Sequence, residues 1–383
     1  MKESTVVIVG ASISGLACAA CLQIENIPFI IVEKEATLAT PWRNHYERLH
    51  LHTNKAVSNL PIKKFAPHIP QYPSRRQVVD YLEEYSRDLD IHPEFNREAK
   101  SIRHSGGHWR VETEGEIYSS PNLIIATGAY SKPRKFKAGG IETFPGTVTH
   151  SASYKSGREF KNRKVLVVGF GNSACEIAID LFEQGAQPSM SVRSAINVIP
   201  RDLLGIPILE ISQVLSKLPA RVADTINAPI LYALYGDLKK LGLKKLPYGP
   251  YEQIRKDGVT PVLDIGTIRH IREGHIQIFP GIDHIDNYQV FFEDGRKENF
   301  DAIVAAIGYD RNCEEILDIE KERFDDLKNS VDHQIFFGKD GLYFCGFWTS
   351  PTGAIREIAL DANKIAKDIR RKSGNSPNTN TQR

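Results

Sequence analysis

The chain has 383 residues, 25% of them charged and 41% hydrophobic, which is the composition of a soluble globular protein long enough for two domains. A net charge of +2 gives little attraction for polyanions, so no nucleic-acid partner is expected. No apolar run approaches a membrane span, no signal peptide is expected before Met1, and the five cysteines (at 18, 21, 175, 313 and 345) suggest no disulfide framework, so a cytoplasmic protein is expected.

The first strand reads Val6-Val7-Ile8-Val9 and runs directly into Gly10-Ala11-Ser12-Ile13-Ser14-Gly15, with a helix over 16–24. A second strand at 29–32 ends in Glu33 and Lys34. Strand, glycine turn and helix make a pyrophosphate site on the helix N-terminus, and an acid ending the next strand suits an adenosine ribose hydroxyl. Cys18-Ala-Ala-Cys21 has the C-x-x-C spacing of a redox pair, but it lies inside this helix and reads as small thiols packing helix on sheet.

Residues 36–73 are rich in prolines and aromatics, among them Trp42, Tyr46 and Tyr72, and include the polar groups His52, Asn54 and Lys55. A loop this long usually has a functional reason, the alternative being a surface connection with His50 and His52 alternating on a strand. A helix is predicted over 75–89, a hairpin over 102–118 turning at Gly106-Gly107, and a buried strand at 122–126 that ends in Thr127-Gly128.

A second fingerprint follows the strand at 165–168: Gly169-Phe170-Gly171-Asn172-Ser173-Ala174, then an amphipathic helix. The next strand ends in Val192-Arg193-Ser194, with Arg193 where an NAD site would place an acid. A guanidinium suits the 2′-phosphate of NADPH. One acid-ended and one Arg-ended site pair economically as FAD first and NADPH second; the alternative is two ordinary glycine turns. Residues 203–246 show helix-type apolar spacing with breaks at Pro207, Pro219 and Pro229. Such a face is suited to capping a substrate pocket, pairing subunits into a homodimer or lying on a membrane surface, or it is an ordinary packed excursion. Ala306-Ile307-Gly308 echoes the earlier Ala-Thr-Gly. Residues 341–347 read as a strand leading into a turn, with Gly346 in it, a helix covers 354–369, and a disordered tail is expected at 373–383. The twelve histidines form no ligand-spaced pair with a supporting carboxylate, so no metal is expected.

Phe144-Pro-Gly146-Thr-Val-Thr-His150-Ser-Ala-Ser-Tyr154 fits F-x-G-x-x-x-H-x-x-x-Y, and here the chain resembles the class B flavin monooxygenases. Tyr46 to His52, Tyr72-Pro73-Ser74, residues 260–267, Phe279-Pro-Gly281-Ile282 and residues 301–309 are similar to the YUCCA branch, the plant indole-3-pyruvate monooxygenases. The resemblance implies an α/β protein of two Rossmann-like domains, FAD- and NADPH-binding, with the FAD domain discontinuous: 1–145, then an NADPH domain at 146–303, then 304–372. It implies an NADPH- and O₂-using monooxygenase that works through a C4a-(hydro)peroxyflavin on a small molecule such as indole-3-pyruvate or another 2-oxo acid. N- or S-oxygenation, an NADPH-dependent reductase or oxidase, and a non-catalytic dinucleotide-binding regulator stay open. By the same resemblance Trp42, Thr127, Gly128, Gly308 and Gly346 lie beside the flavin or at the domain crossing, and His150 and Tyr154 contact NADP. His52, Asn54 and Lys55 line the active site, with Arg43 or Lys55 holding a substrate carboxylate. Two departures stand out: Ser12 replaces the middle glycine of the first fingerprint, and Ala174 the last of the second.

Overall fold

The computed structural model describes residues 1–128, 132–310, 338–347 and 350–374, so Cys313 and the tail from residue 375 lie outside the described residues. Val6–Val9 (β1) is apolar and buried along its whole length, as a strand inside a parallel sheet must be. Helix Ile13–Ile24 (α1), strand Phe29–Val32 (β2), helix Arg75–Asp88 (α2) and strand Asn122–Ile125 (β3) follow. Next come strands Thr147–His150 (β4) and Lys164–Val168 (β5), helix Asn172–Glu183 (α3) and strand Gln187–Ser191 (β6). Helices Ile208–Leu215 (α4), Ala220–Tyr235 (α5), Pro250–Asp257 (α6) and Thr267–Arg272 (α7) lead to strands Gln277–Phe279 (β7) and Ala302–Ala305 (β8). Strand Leu342–Phe344 (β9) and helix Ala354–Gly374 (α8) complete the described chain.

Two all-parallel sheets result, in the orders β9-β3-β1-β2 and β7-β6-β5-β8-β4. β9 returns to the first sheet after β8 has entered the second, so the first domain is discontinuous. Small residues on α1 (Ala17, Cys18, Ala20, Cys21) let α8 pack close through Ala362, Ile365, Ala366 and Ile369. The start of α2 is set by a capping box: Ser74 Oγ accepts from Gln77 N at 3.4 Å and Gln77 Oε1 accepts from Ser74 N at 2.9 Å.

The insertion is helical, with one correction. Pro207 and Pro219 stand at helix starts, but Pro229 lies inside α5 and does not end it. A proline forfeits one ladder hydrogen bond, and here the neighbouring turns carry the helix through. Of α5 only Ala223 and Tyr235 are buried, whereas Val222, Ile226, Ile230, Tyr232 and Leu234 are exposed.

Tyr154 is 2% exposed; its hydroxyl donates to Asp180 Oδ2 at 2.6 Å, and Gly157 N donates to the same oxygen at 2.8 Å. Burial first, then the hydrogen bond to Asp180 and its charge, push the hydroxyl pKa up, so it stays a donor. Tyr154→Phe strips a donor from a buried carboxylate. The expected loss is about 1–3 kcal/mol of stability, seen as a lower midpoint in calorimetry; an unchanged midpoint would contradict this anchoring role.

Candidate active site

The two glycine turns are built alike, contact by contact. Gly10 has φ +102°, and a Cβ there would stand 2.8 Å from the Ala126 carbonyl oxygen; Gly169 has φ +120°, and a Cβ would stand 2.5 Å from the Ala306 oxygen. Each turn is tied to both neighbouring strands: Gly10 N donates to Val32 O and Ala126 N to Val9 O, both at 2.8 Å. Likewise Gly169 N donates to Ser191 O and Ala306 N to Val168 O, both at 2.9 Å. Only glycine meets both demands, a left-handed φ and a carbonyl in van der Waals contact.

At Gly15 a Cβ would lie 1.9 Å from the Gly10 oxygen, while Ala174, its counterpart, is accommodated at 0% exposure. Gly171 and Ser12 occupy equivalent places, with φ −88°, ψ 176° and φ −92°, ψ −154°. Nothing lies within 4 Å of a Cβ placed on Gly171. That open volume sits at the N-terminus of α3, where the free amides of a helix suit an anion. Ser12 is therefore unstrained, and its Cβ takes the place that is open in the second turn.

Glu33 closes the first turn: its Oε2 accepts from Ala11 N at 2.7 Å and its Oε1 from Glu35 N at 3.1 Å. Each carboxylate oxygen keeps a lone pair for a ribose hydroxyl. Lys34 is exposed, 3.7 Å from Glu35. Ser14 is buried under the exit of β9, where a Cβ on Gly346 would come within 2.2 Å of its Oγ. Thr127 is exposed, and Gly128 has open space above its Cα. In the second turn Asn172 Oδ1 accepts from Leu263 N at 2.9 Å, so it braces the following segment. Arg193 and Ser194 are exposed just past β6.

Residues 42–72 strap the two domains together. Trp42 packs against both cores, and Tyr46 and Leu49 are buried in the second. Arg48 forks onto Glu183 at 2.8 and 3.0 Å, His52 Nε2 lies 2.9 Å from Glu176 Oε1, and Asn54 Nδ2 donates to Glu210 Oε1 at 2.7 Å. Glu176, on α3, is 2% exposed. The long segment is thus no mere surface connection: Leu49 and Leu51 turn inward while His50 faces out. Burial lowers the pKa of His45, while burial first and then the Glu176 charge raise that of Tyr46.

The cations expected to hold a substrate carboxylate are otherwise engaged. Lys55 Nζ donates to the carbonyls of Ala66, Pro67 and Ile69, and Arg43 pairs with Glu83 and donates to Leu38 O. Tyr154 serves the core rather than the surface of the cleft. His150 sits at the crossing between domains: Nδ1 accepts from Ala152 N at 3.0 Å, which leaves the proton on Nε2 for the Gly308 oxygen at 3.2 Å. Burial lowers its pKa and keeps it neutral.

The donor set fits two dinucleotides. Three of the five buried side-chain atoms without a partner among the described residues, His45 Nδ1, Asn54 Oδ1 and Glu176 Oε2, lie along this strap and the helix it meets. Buried polar atoms want partners, and a cofactor spanning the cleft would bring them.

Comparison with known proteins decides the family. A model of the pyridine nucleotide-disulphide oxidoreductase family matches residues 7–202. The probable indole-3-pyruvate monooxygenase YUCCA9 of Arabidopsis thaliana is 40% identical over 95% of this chain and 88% of its own length. The indole-3-pyruvate monooxygenase YUCCA6 of the same plant is 39% identical over 95% and 89%. The chain belongs to the YUCCA family of flavin monooxygenases. It is an FAD- and NADPH-dependent monooxygenase. Solved structures share the fold: a variant of a Stenotrophomonas maltophilia flavin monooxygenase superposes at TM-score 0.73 with 18% identity, over 97% of this chain and 100% of its own. NADP⁺-bound cyclohexanone monooxygenase from Rhodococcus sp. Phi1 gives 0.74 with 15% identity, over 98% and 85%.

Outside the site, one cluster brings histidines together. His270, Glu273 and His275 bring three ligand atoms within 4.8 Å of one another, so the histidines do include a pair with a supporting carboxylate. The spacing escapes helix or strand periodicity because the turn at Gly274 (φ +76°) folds His275 back onto α7.

Arg193→Ala is expected to raise KM for NADPH about tenfold, near 1–2 kcal/mol for an exposed charge-assisted contact, with NADH little affected; equal losses with both would remove the 2′-phosphate assignment. Ser12→Gly is expected to slow FAD dissociation, measured by flavin fluorescence on dilution. An unchanged rate would show that the serine is accommodated.

Proposed function

We propose that the enzyme oxidatively decarboxylates an aromatic 2-oxo acid, indole-3-pyruvate first among them. The balance is R–CO–COOH + O₂ + NADPH + H⁺ → R–COOH + CO₂ + H₂O + NADP⁺. The observation that carries this reading is the likeness, along nearly the whole chain, to plant enzymes named for that substrate. FAD reduced by NADPH supplies the oxygen-activating chemistry when bound; the protein binds, orients and keeps water away.

In this reading Gly10, Ser12, Ser14, Gly15 and Glu33 hold the FAD pyrophosphate and ribose, with Lys34, Trp42, Thr127, Gly128 and Gly346 along its length. Gly169, Gly171, Ser173 and Ala174 receive the NADPH pyrophosphate, Arg193 and Ser194 the 2′-phosphate, and His150 and Gly308 set the hinge. The domain limits 1–145, 146–303 and 304–372 belong to the same proposal, supported by the strands that each range contributes to its sheet.

Substrate would enter where the strap, α4 and α8 converge: a Cβ on Gly353 would contact Leu209 at 3.3 Å and Thr53 at 3.4 Å. Next to Asn54's partner Glu210 is an open groove of about 510 Å³ that also takes in Lys217, Thr352 and Arg356. Two cations line it, Lys217 and Arg356; Arg356 Nη1 pairs with Glu357 Oε1 at 2.9 Å, and the rest of its guanidinium fork is the group proposed to take the carboxylate. On the other flank of the insertion, a smaller cavity of about 60 Å³ is lined mainly by apolar side chains such as Ile199, Leu209, Ile230 and Leu231.

The exposed face around Leu204, Val214, Val222, Ile226 and Tyr232 supports a homodimer, which sedimentation would show as a doubled mass. A cytoplasmic location is supported by the free thiols of Cys18, Cys21, Cys175 and Cys345; among the described residues no helix is long and apolar enough to cross a membrane.

Product analysis after NADPH turnover with indole-3-pyruvate is expected to give the acid one carbon shorter and CO₂. Sulfide or amine oxygenation with inert 2-oxo acids, or NADPH oxidation yielding only H₂O₂, would overturn the reading. Arg356→Ala is expected to raise KM for the 2-oxo acid about tenfold, the scale of one charge-assisted contact, with KM for NADPH unchanged; an unaltered substrate KM would move the carboxylate elsewhere.

A further inference from the structure

We infer that His270, Glu273 and His275 form a binding site for one first-row transition dication of the Zn²⁺ type, on the second domain and apart from the dinucleotide turns. His270 Nδ1 and His275 Nδ1 lie 3.2 Å apart, and His275 Nδ1 lies 3.3 Å from Glu273 Oε2. Ligand bonds of about 2.0–2.1 Å in tetrahedral array put neighbouring donor atoms about 3.3 Å apart, so both edges already have the right length. The third pair lies within 4.8 Å, a gap that rotation of the half-exposed Glu273 side chain can close.

Without an ion the three atoms compete. A neutral imidazole carries one N–H, so a single Nδ1 proton can satisfy only one of the two contacts well. A dication answers all three lone pairs at once. The rings are held in place beforehand: His275 stacks on Phe182 at 4.3 Å and 19°, and His270 lies against the same ring at 5.0 Å. His270 is 8% exposed, so the packing around it fixes its ring. Arg269 opposes a cation here, while Glu273 and Glu183 favour it.

Two imidazoles and one carboxylate select Zn²⁺, Ni²⁺, Co²⁺ or Cu²⁺ over Mg²⁺ and Ca²⁺, which prefer oxygen ligands. The remaining positions face solvent, since the Glu273 and His275 side chains are 47% and 40% exposed. Phe182 belongs to the last turn of α3, whereas the dinucleotide turn is at its start, so the site is a helix length from the cofactor. Binding would tie the turn after α7 to the end of that helix.

The test uses the FAD-loaded enzyme, cleared of metal with EDTA and dialysed, titrated with ZnCl₂ by calorimetry. One equivalent is expected to bind, with Mg²⁺ in excess leaving the titration unchanged. Glu273→Gln and His275→Ala, both at exposed positions, should each weaken affinity at least tenfold while NADPH oxidation is retained. His92→Ala, which removes a comparable but two-membered pair with Asp90 at 2.7 Å, should leave binding intact. Absence of binding, or affinity unmoved by both Glu273→Gln and His275→Ala, would overturn the site.

Discussion

The close approach of a glycine to the carbonyl at the end of the next parallel strand organises this molecule, and it occurs twice. At Gly10 against Ala126 and at Gly169 against Ala306, the chain leaves the central strand at positive φ and turns straight into a helix. A side chain at either point would collide with backbone, which has no rotamer to yield. The helix start is therefore driven down beside the sheet, its first amides aimed outward over the strand ends. Each turn also fixes which strands are neighbours, because its flanking amides complete the ladders to both sides. Sheet order and phosphate site are consequences of the same few atoms.

Two such units do not by themselves make an enzyme; their relative placement does, and that is the work of the strap. Arg48, His52 and Asn54 reach from it to Glu183, Glu176 and Glu210 in the second domain and its insertion, so three carboxylates face three donors across the cleft. Glu176 shows why the junction is polar rather than greasy. One of its oxygens meets His52 and the other, buried, meets nothing described. A buried carboxylate half satisfied costs stability, and such a cost is tolerated where a ligand completes the set. The His150 imidazole repeats the logic at the crossing, neutral and bonded at both ring nitrogens.

What was legible in the sequence follows from how local each determinant is. Strands β1 and β2 coincide with their apolar runs, the glycine turns follow from steric demands within six residues, and the ends of both dinucleotide strands announce an acid and a guanidinium. The bonds that sequence does not reveal are those whose partners lie far along the chain. Carbonyls 11 to 14 residues on absorb the ammonium of Lys55. Arg43 meets Glu83, 40 residues away. Tyr154, within a cofactor fingerprint, faces Asp180 inside the core. Pro229 shows the same limit for backbone: a residue that disfavours a helix was outweighed by the turns around it. No periodicity could have revealed Glu176 as His52's partner, 124 residues apart.

The family model that matches residues 7–202 bears a disulphide-reductase name, and Cys18-x-x-Cys21 invites that chemistry. Thiol exchange needs a thiolate that a disulfide can reach. Cys18 is fully buried, and its hydrogen bond with Cys345 and then burial raise its pKa well above normal; burial pushes Cys21 up to about 12. Both sit on the flank of α1 that receives α8, where their small size lets the helices meet. A disulfide substrate would have to displace α8 to reach them. The same close packing that stabilises the first domain therefore removes Cys18 and Cys21 from redox chemistry, and leaves the flavin cleft as the place where electrons from NADPH are used.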